Sequence, residues 1–125
     1  MSADQGANKS MYQFSYAEVL EDDPQSSRNR EREALDHALE LLTAAKQKGR
    51  TSRESIEALH YVRKLWMVLI EDLVNPENDL PDVLKADLIN VGIWVTKEAD
   101  MISLGKSDNF EGLIDICGII RDGLK

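Results

Sequence analysis

Between Leu35 and Leu124 the apolar side chains recur at steps of three and four, in four stretches separated by glycine, proline and polar turns. That period gathers them on one side of a helix, whereas half-buried strands would alternate every second residue. Leu35, Ala38, Leu39, Leu42 and Ala45 form the first stripe. Ile56, Leu59, Val62, Trp66, Leu69, Ile70 and Leu73 form the second, and Leu84, Leu88, Val91, Val95, Ala99 and Ile102 the third. Phe110, Leu113, Ile114, Cys117, Ile120 and Leu124 form the fourth.

The punctuation between the stripes agrees with this period. Ser26 or Ser27 is placed to cap a helix running to about Lys48, where Gly49 supplies a left-handed stop. Thr51-Ser-Arg-Glu54 spells a capping box with Thr51 as the cap, and Asn75-Pro76 ends the helix it opens. Pro81 fits the first turn of a third helix, which runs to about Leu104 and stops at Gly105. Asp108-Asn-Phe-Glu111 predicts a fourth start, with Asp108 as the cap. About four helices with short connections predict an all-α, single-domain antiparallel bundle over residues 25–125. A chain of 125 residues is long enough to bury such a core without disulfides or metal.

Some apolar residues fall outside the stripes. Tyr61, Leu65 and Val68 make a second strip on the second helix, Ile89 and Ile93 lie nearly opposite the third stripe, and Ile119 points away from the fourth. Either the bundle packs more broadly than one stripe per helix, or these residues line grooves that accept an amphipathic helix from a partner. Gly92 costs roughly 1 kcal/mol relative to alanine in a helix interior, so it marks a close helix contact.

Upstream, residues 1–10 are polar and read as a disordered leader, with no apolar segment of the signal-peptide kind. Met11 is a candidate start, which would make the leader an upstream extension. Residues 11–24 form an N-terminal arm in which Tyr12, Phe14 and Tyr16 alternate, while Tyr16, Val19 and Leu20 have helical spacing. The arm is too short to hold a helix alone in water. Its apolar groups therefore dock, either on the protein's own core or over a groove from which a partner displaces them.

The formal charge of −8 repels phosphate backbones and anionic membranes and disfavours direct nucleic-acid binding. Arg28, Arg30 and Arg32 are the one basic cluster, and they alternate with glutamates. They read as a solvated helix face, or as a contact for an acidic partner or RNA. A single cysteine excludes an internal disulfide and fits a reducing compartment. No apolar run reaches the ~18–20 residues that span a bilayer, so the sequence predicts a cytoplasmic protein.

The residues offer little chemistry. His37 and His60 lie on different helices without a third ligand at metal spacing, and Glu33 is one turn from His37, a common surface pair. The sequence gives Glu71 and Asp72 no environment that would split two carboxylate pKa values. Cys117 falls on a core face, as an inert thiol does. There is no phosphate-binding glycine loop and no nucleophile elbow. The expectation is a non-enzymatic protein without catalytic residues, cofactor or metal.

Met11-Tyr-Gln-Phe-Ser-Tyr-Ala-Glu-Val-Leu-Glu-Asp-Asp-Pro24 and Ser27-Arg-Asn-Arg-Glu-Arg-Glu-Ala-Leu35 resemble the opening of the FlaF family, small flagellar-biosynthesis proteins of alphaproteobacteria. Arg63-Lys-Leu-Trp66, Leu80-Pro81-Asp82, Leu88-Ile-Asn-Val-Gly-Ile-Trp94 and Phe110-Glu-Gly-Leu-Ile-Asp115 are similar to later parts of the family. The likeness covers Met11 to Lys125, and the motifs are specific together rather than singly. It implies a cytoplasmic, non-enzymatic protein that acts with the regulator FlbT, binds flagellin as a secretion chaperone and supports flagellin synthesis and export. The alternative it leaves open is a post-transcriptional regulator or adaptor of flagellin expression, acting through FlbT or on flagellin mRNA. The candidate partner-binding residues are Tyr12, Phe14, Tyr16, Val19, Leu20, Tyr61, Leu65, Val68, Ile89, Ile93 and Ile119.

Overall fold

The structure, a computed structural model, describes residues 24–124. The leader and the arm up to Asp23 therefore lie outside the described residues. Among the described residues four helices follow one another: α1 (Pro24–Lys48), α2 (Arg53–Val74), α3 (Asp82–Ser103) and α4 (Phe110–Gly123). Among the described residues there is no strand.

The predicted helices are present, and their starts correct the sequence reading by a residue or more. α1 starts ahead of both serines, at Pro24, whose fixed φ and missing N–H suit a first turn. Ser52, not Thr51, caps α2: its Oγ accepts from the Ser55 N–H at 3.1 Å and its hydroxyl donates to the Gly49 carbonyl at 2.6 Å. The Ser52 N–H also closes a turn on Gly49, whose φ of +100° carries the backbone away from α1, and Thr51 is left inside that turn. Pro81 is the N-cap of α3 rather than a first-turn residue. Asn109, not Asp108, caps α4, with Oδ1 accepting from the Gly112 N–H at 3.0 Å. Asp108 is drawn instead to Arg50, at 3.5 Å. Gly49 and Gly105, the predicted stops, are the two glycines with positive φ among the described residues.

Side-chain contacts fix the directions of the helices. Lys46 pairs with Glu111 near one end of α1 and α4, and Asp36 with Arg121 at 2.6 Å farther along, so these helices run antiparallel. Arg63 of α2 donates to Asp100 Oδ1 at 3.3 Å and Ser103 Oγ at 3.1 Å on α3. Farther along the same pair, Trp66 and Ile70 meet Gly92. The His37 and Tyr61 rings join α1 to α2 edge to face, with centroids 4.8 Å apart. α1 thus packs on α2 and α4, and α2 on α1 and α3, whereas α3 and α4 barely touch despite being consecutive.

Leu35, Leu42, Val62, Trp66, Val95, Ile102, Leu113 and Cys117 form the centre of the core and are essentially excluded from solvent. Ile56, predicted on the second stripe, is instead 68% exposed, because Ser55 and Ala58 take the inward positions of that turn. Leu84, predicted on the third stripe, is exposed for a different reason. α4 has 14 residues, about 21 Å of helix, against about 33 Å for the 22 of α3. Leu124, just past the end of α4, shares a cavity with Leu88, so the first turn of α3, with Val83 and Leu84, runs on beyond it.

Candidate functional site

Two apolar features are open to solvent, and both involve the α1–α2 pair. The first is a shallow trough. Tyr61, Leu65 and Val68 recur at i, i+4 and i+7 along α2 and, with His60 and Lys64, line one depression. Leu65 and Val68 continue into a second, shared with Leu69 and Asp72 of α2 and Arg30, Glu31 and Ala34 of α1. Tyr61 and Leu65 are half-buried against the core, while Val68 is 60% exposed. The sequence left open whether this strip was core or groove; its inner edge is packed and its outer edge is wet.

The other predicted residues are not gathered there. Ile89 is half-buried and Ile93 43% exposed on α3, while Ile119 is 64% exposed on α4. None of the three shares the trough with Tyr61. Tyr12, Phe14, Tyr16, Val19 and Leu20 lie outside the described residues.

The second feature is a cavity of about 100 Å³ at the end of the bundle where α1 begins and α2 ends. Leu35, Trp66, Leu69, Leu73, Leu88 and Ile120 form its apolar wall, with Leu80 and Leu124 at its rim. It is larger than one water needs and smaller than the roughly 150 Å³ that holds a benzene ring, so it suits one aliphatic side chain or part of a ring. The sequence reading missed it because each wall residue in a helix sits where a core residue should. The signal available was the brevity of α4, too short to close the gap beside α3.

Glu31, Asp72 and Asn78 bring polarity to this cavity. Asn78 Nδ2 donates to Asp72 Oδ2 at 3.2 Å. The Glu31 carboxylate receives no hydrogen bond among the described residues. Burial pushes its pKa up and the neighbouring Asp72 charge adds to this, while Arg30 and Arg28 pull the other way. Deeper in, Trp66 Nε1 finds no acceptor within hydrogen-bond range among the described residues. The Cys117 sulfur is its polar neighbour, and the thiol is pushed up by burial more than the Trp66 N–H draws it down.

Among the described residues no three metal-ligating side chains gather, and no helix is long and apolar enough to cross a membrane. His37 lies 3.6 Å from Glu40, one turn along, rather than pairing with Glu33.

Fold and surfaces together define a small all-α antiparallel bundle that keeps an apolar trough and an apolar cavity open to solvent. The family model for flagellar protein FlaF matches residues 12–124, almost the whole chain. The chain belongs to the FlaF family and is a flagellar protein. No curated protein and no solved structure matches it.

Proposed function

We propose that this protein is a cytoplasmic chaperone that binds flagellin and supports its synthesis and secretion. The observation that carries the reading is the strip Tyr61–Leu65–Val68, which leaves an apolar edge open along α2 beside α1. Such an edge matches helix-in-groove recognition, in which a guest helix lays apolar residues at i, i+4 and i+7 into a trough. Terminal segments of flagellin, amphipathic and unassembled before export, are guests of that kind. Covering them would keep unassembled subunits apart. The net charge of −8 and the polar rim of His60, Lys64, Arg30 and Asp72 keep the host soluble around the apolar strip.

Calorimetry with monomeric flagellin, and separately with FlbT, tests this reading. Saturable one-to-one binding of flagellin with a negative heat-capacity change supports sequestration through buried apolar surface. Tight binding of FlbT with no flagellin binding would overturn it in favour of a regulatory adaptor.

A further inference from the structure

We propose that the end cavity is the seat of the chain's own residues 12–20, which plug the gap between α3 and α4. Three observations carry this, and none depends on flagellin being the partner. The first is position. α1 begins at Pro24, and Glu31 and Leu35, two of the cavity residues, lie seven and eleven residues along it. At 1.5 Å per residue that is about 10–16 Å from the point where the arm enters the helix. The stretch from Tyr12 to Asp23 reaches up to about 40 Å when extended, so it can turn back over that distance.

The second observation is chemistry. The arm ends in Glu21, Asp22 and Asp23, charges suited to a helix N-terminus, and its apolar groups all lie upstream of them. Leu20, Val19 and Tyr16 thus come first to the level of an apolar cavity sized for one side chain. The third is the Glu31 carboxylate, half-buried at that cavity and without a hydrogen bond among the described residues. That carboxylate is open enough to be satisfied by water, and a tyrosine hydroxyl from the arm is a neutral donor that can take the water's place. An acidic residue of the arm would only add a like charge.

Amide hydrogen exchange on the full-length protein, without any partner, tests the proposal. Residues 12–20 should exchange at least about tenfold more slowly than an unstructured chain. Leu80→Asp, at the rim of the cavity and partly exposed, should abolish that protection while the helical circular-dichroism signal and melt are retained. Phe14→Cys with Leu80→Cys, in a Cys117→Ala background, should form a disulfide within one molecule under mild oxidation. Three results would each overturn the proposal: exchange of residues 12–20 at the unstructured rate, protection unchanged by Leu80→Asp, or a disulfide found only between molecules. The last would make a second copy the occupant. Loss of flagellin binding alone bears on the chaperone reading and leaves this proposal standing.

Discussion

A Cβ placed on Gly92 of α3 would stand 2.7 Å from Cδ1 of Ile70 on α2. The same atom would meet the Trp66 ring at 3.0 Å, so the α2–α3 contact is set by a missing side chain. Gly92→Ala gains about 1 kcal/mol of helix propensity, but overpacking costs about 1–3 kcal/mol and the buried indole cannot move aside. The expected net result is a loss of about 1 kcal/mol in denaturant unfolding. Ile70→Val removes the nearer atom, so the double variant should lose less than the two single losses added together.

Ser52 supplies the cap that α2 uses. Ser52→Ala should cost about 1 kcal/mol, while Thr51→Ala should stay within about 0.5 kcal/mol of the parent. Chemical denaturation of both variants checks the assignment. Equal losses would return the cap to Thr51.

Val68 is exposed within the trough and Ile119 is exposed outside it. Val68→Glu should therefore lower flagellin affinity about tenfold or more, equivalent to about 1.4 kcal/mol, with melting nearly unchanged. Ile119→Glu should leave the affinity as it was. Titration calorimetry on the two variants reads this directly, and the reverse ranking would move the binding face to α4.

Glu31 holds its proton more tightly in the folded chain than an ordinary carboxylate, for which 4.5 is the reference. The folded state therefore binds more protons than the unfolded state from about that reference upward, and stability falls as pH rises through the window. Asp72 reinforces the effect, and Arg28 and Arg30 oppose it. Glu31→Gln should be more stable than the parent near neutral pH. The advantage should disappear in acid, where Glu31 is protonated in both states. Urea midpoints across that range test the sign; an advantage that grows in acid would contradict it.

The helices, their stops and most of the core were legible because period and punctuation are local properties. Leu35, Leu42, Val62, Trp66, Leu113 and Cys117 needed nothing beyond their spacing to be placed inside. The caps slipped because Thr51-Ser52 and Asp108-Asn109 each offer two adjacent capping residues, and the turn closed by Gly49 and the Arg50–Asp108 pair decide between them. Ile56 and Leu84 were misplaced because a stripe does not show where its neighbours end.

The candidate site divides in the same way. Tyr61, Leu65 and Val68 could be found from a helical wheel. The cavity could not, since it depends on Leu88 and Ile120 sitting on helices that fail to meet.

The weak seam between α3 and α4 also bears on how the molecule comes apart. α4 leans mainly on α1, carries glycine at 112 and 118, and is tethered to α3 by the short turn before Asn109. The smallest opening available is a swing of this one helix about that turn, leaving α1, α2 and α3 assembled. Such a hinge gives the bundle two thermodynamic layers, and the amides of Leu113 and Cys117 should exchange before those of Val62 and Val95, although all four are equally buried at rest.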